Sequence, residues 1–180
     1  MAPLIVQVGH PVLRNGTRPL SREEVRGDDI RQLIERMREI MRAAPGVGLA
    51  APQIGLPLRI AVIEDPVEAA ATERRPVPFH VIVNPSIVLG SEEVSHYEGC
   101  LSIGGFQAMV PRARTVTVTA LDHQGNSVSI EASGWYARIL QHEVDHLDGK
   151  LYIDRMDTRT FTTNANLALL NMTPPPAPES

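Results

Sequence analysis

The segment His142-Glu143-Val144-Asp145-His146 has the pattern H-E-x-x-H. On an α-helix, a spacing of four residues turns about 400°, so both imidazoles project from one face, one turn apart. Glu143 lies about 100° round from His142, where a carboxylate reaches a metal-activated water without being a ligand. Two histidines at this spacing also occur as half-exposed or core-edge residues of amphipathic helices. The motif alone therefore leaves metal binding and a structural role both open.

The lone cysteine, Cys100, is the candidate for a third ligand. A catalytic metal site commonly has three protein ligands and one open position, and Gly99 beside the cysteine permits a close backbone approach. Two alternatives stay open, since Cys100 could be an inert buried thiol or the nucleophile of a Cys/His hydrolase. A nucleophile needs one base, so two histidines favour a metal. Cysteine with two histidines suits zinc, iron, nickel or cobalt.

Residues 46–51 read Gly-Val-Gly-Leu-Ala-Ala, which matches the dinucleotide pattern G-x-G-x-x-A, and Asp65 lies near the position of a ribose-binding acid. The context argues against a dinucleotide site. That fingerprint follows a strand and opens a helix, whereas this segment follows a helix at Pro45 and runs into Pro52. We expect instead exposed backbone groups that pair with an extended peptide, beside Gln53, whose amide is suited to donate to an oxyanion.

Two helices and a set of strands are predicted to position these residues. Apolar residues recur at helical spacing between Asp28 and Ala44, and Pro45 ends that pattern. A second helical pattern follows Ser133, carries the two histidines and stops at Gly149. Segments rich in Val, Ile and Thr lie between the helices. The predicted strands are Leu58–Glu64, Phe79–Asn84, Ile87–Ser95, Thr115–Asp122 and Ser127–Ala132.

This order of elements predicts an α+β fold. Antiparallel strands are expected to pack around a C-terminal metal-binding helix, with an N-terminal amphipathic helix. The Pro-containing segment Asp65–Pro78 is predicted to be a surface loop. We expect residues 1–172 to form a single catalytic domain and the Pro-rich residues 173–180 to form a disordered tail.

Composition argues against several classes of function. The 180 residues are 43% apolar and carry a net charge of -4 without a basic block, so neither nucleic acid nor a membrane is an expected partner. A single cysteine forms no internal disulfide, and we find no signal segment or membrane-spanning run. The expected location is a bacterial cytoplasm or, alternatively, an organelle matrix after removal of a presequence.

Three motifs in this order resemble those of peptide deformylase. They are Gly-Val-Gly-Leu-Ala-Ala-Pro-Gln at 46–53, Glu-Gly-Cys-Leu-Ser at 98–102 and Gln-His-Glu-Val-Asp-His at 141–146. The resemblance covers residues 5–165 and includes the opening segment Gln7–Arg14. Ala132–Trp135 and Asp154–Met156 are most similar to the organellar-type and related bacterial branch of the family.

The resemblance implies a metal-dependent hydrolase that removes the formyl group from N-formylmethionyl nascent peptides. It implies one divalent metal ion, Fe²⁺ in the native protein, with Zn²⁺, Ni²⁺ or Co²⁺ as alternatives. Transient proximity to the ribosome is a further expectation, and a monomer is expected over an oligomer. Two other functions stay open: a metalloendopeptidase with the same helix, and a non-catalytic metal- or peptide-binding module.

The resemblance also implies a role for each site residue. The implied metal ligands are Cys100, His142 and His146, the implied catalytic residues Glu143, Gln53 and Leu101, and the implied substrate-binding residues Val47, Gly48, Gly99, Trp135 and Ile139. Glu143 would be the general acid/base, and Gln53 with the backbone N–H of Leu101 would stabilise the oxyanion. Val47, Trp135 and Ile139 would line a methionine pocket.

Two features of the resemblance concern the surroundings of this site. Glu98 and Arg112 match an ion pair that braces the cysteine loop in the family. Gly104, Trp135 and Arg138 depart from the commoner residues of the family. We therefore expect a reshaped methionine pocket.

Overall fold

The amphipathic N-terminal stripe forms a helix, and the Val- and Thr-rich segments form antiparallel strands. The computed structural model describes residues 5–70 and 73–172. Its helices are α1 (Arg22–Arg26), α2 (Asp28–Ala43), α3 (Gly134–Leu147) and α4 (Asn164–Met172). Its strands are β1 (Gly48–Ala50), β2 (Ile60–Asp65), β3 (Val77–Leu89), β4 (Glu93–Cys100), β5 (Ile103–Ala113), β6 (Thr115–Leu121), β7 (Ser127–Ser133) and β8 (Thr162–Thr163). The α+β class is confirmed.

Two antiparallel sheets make up the β structure. One has the strand order β1-β2-β3-β6-β7, and the other has the order β4-β5-β8. The β6–β7 hairpin pairs Thr115 with Ser133 and Leu121 with Ser127, close to the predicted strands. Two strand edges, β1 in the larger sheet and β4 in the smaller, each carry a motif that the sequence singled out.

Side chains alternate between the two faces of the larger sheet and so build two cores. On β2, Ala61 and Ile63 pack in one cluster with Leu140 of α3, whereas Ile60 and Val62 pack in another with α2. This period of two is the signature of a strand buried on both faces. Helices α2 and α3 consequently lie on opposite faces of the sheet, and α3 is almost entirely buried. The two histidines therefore lie on a long, buried helix.

The predicted strands Phe79–Asn84 and Ile87–Ser95 are wrong in their boundaries. The structure has one strand, β3, that runs through Asn84 and Pro85, and β4 begins separately at Glu93. Asn84 adopts φ 50°, and the pairing with β6 shifts register between Val83 and Ser86. A proline inside a sequence pattern usually indicates the end of a strand, so Asn84-Pro85 was interpreted as a boundary. The bulge lets the strand continue through this proline.

Other elements were not predicted. Strand β5 contains Gly104, Gly105 and Pro111, which disfavour strands. It nevertheless pairs with the whole of β4, from Glu93 opposite Ala113 to Cys100 opposite Ile103. Helix α1 has a capping box between Ser21 and Glu24 that the sequence analysis did not use. The predicted loop Asp65–Pro78 is wrong at both ends, because Asp65 closes β2 and β3 starts at Val77. The predicted tail, 173–180, lies outside the described residues.

Within residues 5–70 and 73–172, helices suited to spanning a membrane by length and apolar content are absent.

The bulge at Asn84 generates a stability prediction. Asn84 Oδ1 accepts a hydrogen bond from the backbone N–H of Leu20 at 2.9 Å, and its Nδ2 donates to the Leu20 carbonyl at 2.7 Å. Asn84→Ala should lower the free energy of unfolding by about 2–3 kcal/mol, because it leaves two peptide groups unpaired and puts alanine at positive φ. Urea denaturation measures the change.

Asn84→Gly separates the two causes, since glycine tolerates the positive φ but forms neither bond. A midpoint for Asn84→Ala equal to that of the parent chain would show that neither the bonds nor the backbone conformation matters.

Candidate metal centre and active site

Helix α3 carries both histidines, and its bounds follow from the residues at its two ends. Ser133 is extended before the helix, Gly134 has φ +59° and Gly149 has φ +72° just after it. His142 and His146 are separated by one turn, and their rings lie 4.8 Å apart between centroids. The spacing in the sequence therefore places both imidazoles on one helical face, as predicted.

Cys100 reaches these histidines from the end of β4. The pairing between β4 and β5 shifts register between Gly99 and Cys100, and the hairpin closes with Cys100 opposite Ile103. Cys100 Sγ lies 3.3 Å from His146 Nε2, which lies 3.2 Å from His142 Nε2. The three donor atoms all lie within 4.8 Å of one another. The structure therefore brings together the three side chains that the sequence indicated as candidate ligands.

The donor set fits a small divalent ion. Tetrahedral coordination at ordinary metal–nitrogen and metal–sulfur lengths separates the donors by about 3.3–3.6 Å, close to the 3.3 Å between Cys100 and His146 and the 3.2 Å between the two histidines. Burial holds the pKa of His146 well below its ordinary value, so its imidazole is neutral and keeps a lone pair. Thiolate and neutral imidazole together suit zinc, iron, nickel or cobalt.

Glu98 orients His142 from behind. Its Oε2 accepts from Nδ1 of His142 at 3.1 Å, so Nδ1 carries a proton and Nε2 is the ring nitrogen that faces His146. Burial acts to raise the pKa of Glu98, but hydrogen bonds from His142 and Arg112 hold that pKa well below its usual range. Arg112 donates to both carboxylate oxygens at 3.0 Å. The expected Glu98–Arg112 contact is therefore present, with both side chains buried.

Two further residues complete this buried network and were not assigned to it from the sequence. Arg138 donates from Nη1 to Glu98 Oε1 at 2.6 Å and to the Val110 carbonyl at 2.8 Å. Asp145 accepts from Arg112 and takes a bidentate pair from Arg155 at 2.7 and 2.8 Å. The sequence did offer one indication of this role. Arg138 and Asp145 are charged residues on a helix whose other residues are mainly apolar, which suggests that they pair with charges in the interior.

Glu143 points into a confined space beside β1. A Cβ added to Gly48 would lie 2.2 Å from Glu143 Oε1, so only glycine permits this approach. Among the described residues, Oε2 of Glu143 has no hydrogen-bond partner. Burial raises the pKa of Glu143 to about 7. A carboxyl group with that pKa is suited to take up and return a proton at neutral pH.

Gln53 places its amide next to the cysteine. Its Oε1 accepts from the backbone N–H of Ala50 at 2.9 Å, which turns Nε2 toward Cys100 Sγ at 3.5 Å and Ser102 Oγ at 3.3 Å. Leu101 follows Cys100 and packs against Gly46, where an added Cβ would lie 2.8 Å from Leu101 Cδ1. The segment at Gly46 therefore packs directly against the residue that follows the cysteine.

A cavity of about 650 Å³ opens onto these groups. With the exception of the buried His146, every site residue named from the sequence lines it: Val47, Gly48, Gln53, Gly99, Cys100, Leu101, Trp135, Ile139, His142 and Glu143. Other residues that line the cavity were not predicted from the sequence, notably Arg74, Tyr97, Phe106, Gln107 and Asn164. Arg74 belongs to the segment that was predicted to be a surface loop.

An H-E-x-x-H helix, a cysteine from a neighbouring hairpin and a buried glutamate in one cavity define the class of metal-dependent hydrolases. The sequence profile described as Polypeptide deformylase matches residues 3–161. The chain belongs to the polypeptide deformylase family.

Similar proteins include plant and bacterial members. The chain is 49% identical to peptide deformylase 1A, chloroplastic, of Solanum lycopersicum over 93% of this chain, and it spans 64% of that protein's length. It is 49% identical to peptide deformylase 3 of Streptomyces avermitilis, covering 96% of this chain and 79% of that protein. The Met-Ala-Ser-bound crystal structure of class I type b peptide deformylase from Acinetobacter baumannii aligns with a TM-score of 0.80 at 33% identity, covering 87% of this chain and 100% of that chain.

The Glu98 network predicts a coupled effect on stability and metal affinity. Glu98→Gln leaves Arg112 and Arg138 buried without their carboxylate, so the free energy of unfolding should fall by about 3–5 kcal/mol. Zinc affinity should fall about 10–100-fold, because His142 loses the anionic acceptor that orients it. Urea denaturation and competition with a chromophoric chelator measure the two effects.

Glu92→Gln is the matched control, since Glu92 forms an exposed ion pair with Arg114 at 3.2 Å and should contribute far less. Equal zinc affinities for the Glu98→Gln and Glu92→Gln proteins would show that Glu98 does not act on the metal ligand.

Proposed function

We propose that this protein hydrolyses the formyl group from the N-terminus of formylmethionyl nascent peptides. The observation that carries the proposal is the convergence of Cys100, His142 and His146 with the buried Glu143 in one cavity. The cavity lies between the β1 segment at Gly48 and the β4 end at Gly99. Family membership supports the same reaction.

Cys100, His142 and His146 would hold one divalent ion, which we propose is Fe²⁺ in the native protein. Zn²⁺, Ni²⁺ and Co²⁺ suit the same three donors. A bound ion of this kind supplies Lewis acidity, which lowers the pKa of water at the site toward neutrality. The orientation of His142 by Glu98 supports this assignment.

Glu143 would be the general acid/base. Its pKa of about 7 lets it accept a proton from the attacking water and then deliver that proton to the departing amine. Its Oε2 has no hydrogen-bond partner among residues 5–70 and 73–172, which leaves an oxygen available for this transfer. The Glu143 side chain is buried, and Gly48 lies directly against its carboxylate.

Gln53 and Leu101 would stabilise the negative charge that develops on the formyl oxygen. Gln53 Nε2 is held next to Cys100 Sγ by the bond from Ala50 to its Oε1, so the donor needs little reorganisation. The backbone N–H of Leu101 adjoins the same cysteine. Fixed donors of this kind contribute about 2.7–4 kcal/mol each to lowering a barrier.

The peptide would bind in extended form between the two strand edges. The backbones of Val47 and Gly48 on one side and of Gly99 on the other would pair with it. The methionine side chain would enter the apolar part of the cavity, which Val47, Trp135 and Ile139 line. A flexible thioether suits an irregular apolar pocket.

The setting of the reaction is also a proposal. Named relatives include a chloroplastic protein and bacterial proteins. We place this chain in a bacterial cytoplasm or an organelle matrix, as a monomer that meets nascent peptides near the ribosome.

Glu143→Gln tests the acid/base role. The variant should retain its metal, because Glu143 is not among the three converging donors, but lose about 10²–10⁴-fold in kcat, because the amide accepts no proton. Formate release from formyl-Met-Ala-Ser and metal analysis of the same sample measure the two properties. Near-parental turnover would remove Glu143 from the mechanism.

Cys100→Ser is the paired variant and should behave in the opposite order, since it exchanges a soft thiolate for a hard hydroxyl and weakens the metal site. Full metal occupancy in this variant would exclude Cys100 as a ligand.

Chelation of the parent protein should remove metal and activity together, whereas alkylation-sensitive activity in metal-free protein would indicate a cysteine nucleophile.

The crowding of the cavity predicts selectivity for formyl over acetyl groups. Gly46 and Gly48 bring backbone close to Leu101 and Glu143, so an extra methyl on the acyl carbon meets packed atoms. The kcat/KM for formyl-Met peptides should exceed that for matched acetyl-Met peptides by about 10–200-fold or more. Comparable values would indicate a general amidase, and cleavage of internal peptide bonds would indicate an endopeptidase.

A further inference from the structure

Arg74 lies against the wall of the cavity although it comes from the segment between β2 and β3. Its guanidinium carbon is 5.5 Å from the ring centroid of Trp135, and both residues line the cavity. A guanidinium at this distance over an indole is attracted by the negative face of the ring. Nothing in the proposed reaction uses this contact.

The position of Arg74 is fixed by Asp65. The Asp65 side chain is fully buried and accepts from Arg74 Nε at 2.7 Å and Nη2 at 2.8 Å. Asp65 Oδ1 also accepts from the backbone N–H of Val67 at 3.1 Å. A bidentate pair on a buried carboxylate restrains the guanidinium in both position and orientation. Asp65, whose position in the sequence resembled that of a ribose-binding acid, therefore holds Arg74 instead.

The neighbouring residue, Glu73, attaches the same segment to the start of α3. A Cβ added to Gly134 would lie 2.6 Å from Glu73 Cβ and 3.0 Å from the Glu73 carbonyl oxygen, so the absence of a side chain at Gly134 permits this contact. Arg114 Nη2 donates to Glu73 Oε1 at 2.7 Å. Because Trp135 directly follows Gly134, the segment lies beside the indole as well as beside the cavity.

Trp135 packs partly against the apolar core beneath the larger sheet, and charged side chains lie beside its ring. Among the described residues its indole nitrogen has no hydrogen-bond partner, so no polar bond sets the rotation of the ring. Its other ring contacts are with Arg138, whose guanidinium carbon is 6.0 Å away, and with His96, whose ring centroid is 6.3 Å away. Arg138 is tied to Glu98, whereas Arg74 and His96 reach the ring from outside that network, and Arg74 is anchored on the buried Asp65.

We propose that Arg74, held by Asp65, is a specificity-determining residue that fixes Trp135 as a rigid wall of the side-chain pocket. The inference rests on the proposed function, because the selected group is the side chain next to the formyl group. A fixed indole leaves room for an unbranched thioether and excludes a bulkier aromatic ring. Without Arg74 the indole moves, and the pocket admits phenylalanine.

Trp135 is the single tryptophan of the chain, so intrinsic fluorescence reports on this wall directly. The test compares Arg74→Ala and Arg74→Lys with Arg75→Ala, which removes an exposed arginine of the same segment that does not line the cavity. Lysine keeps the charge of Arg74 but loses the planar fork that pairs with Asp65. It also provides a milder variant should Arg74→Ala fold poorly.

Both Arg74 variants should shift Trp135 emission to longer wavelength and increase its quenching by acrylamide. The preference in kcat/KM for formyl-Met-Ala-Ser over formyl-Phe-Ala-Ser should fall at least about fivefold, mainly through KM. Arg75→Ala should match the parent in both measurements. A preference within about twofold of the parent in the Arg74 variants, or an unchanged emission, would overturn the proposal.

The proposed function fails in a different way, namely when the parent protein releases formate from neither peptide. In that case the binding of Met-Ala-Ser and Phe-Ala-Ser, followed by Trp135 emission, measures side-chain selectivity without catalysis. Equal selectivity of the parent and Arg74→Ala in that measurement overturns the role of Arg74, and a lost preference for methionine supports it.

Discussion

The buried carboxylate of Glu98 is the group on which the site depends. A charge removed from water in this way is tolerated only when donors surround it, and here Arg112, Arg138 and His142 all donate to it. Arg112 comes from β5, whereas Arg138 and His142 come from α3. The requirement to satisfy one carboxylate therefore fixes the β4–β5 hairpin against the helix. Cys100 lies two residues beyond Glu98 on β4, so the same contact brings the thiol to the histidines.

Helix α3 meets the hairpin through a polar stripe. Arg138 donates to the Val110 carbonyl, Gln141 bonds to the backbone N–H and carbonyl of Ala113 at 3.0 and 2.8 Å, and Asp145 accepts from Arg112. These three helical residues recur at spacings of three and four, so they share one face. The apolar face of the same helix packs against the larger sheet. The helix is thus held by hydrogen bonds on one side and by apolar burial on the other, which explains the rigid placement of its histidines.

Sequence reasoning succeeded where the signal is local. The stripe of α2, the helix that carries the histidines and the β6–β7 hairpin follow from periodicity and turn residues over short windows. It failed at β3, where a bulge at Asn84 carries the strand through a proline, and at β5, where Gly104, Gly105 and Pro111 mask a strand. Pairing with β6 outweighs local preference at β3, and pairing with the preceding strand β4 outweighs it at β5. The same cause hid Arg74, since nothing near it in the sequence indicates that Asp65 turns it toward the cavity.

The sequence by itself determined the donor chemistry: two imidazoles four residues apart on a helix, a carboxylate beside them and one thiol. These follow from residue type and helical period, which need no knowledge of the rest of the chain. Only the tertiary structure decided that Cys100 Sγ lies 3.3 Å from His146 Nε2, that burial brings the pKa of Glu143 to about 7, and that Arg74 lies against Trp135. The physical reason is that distances, burial and charge pairing depend on which distant segments share a low-dielectric interior, and local periodicity carries no information about that.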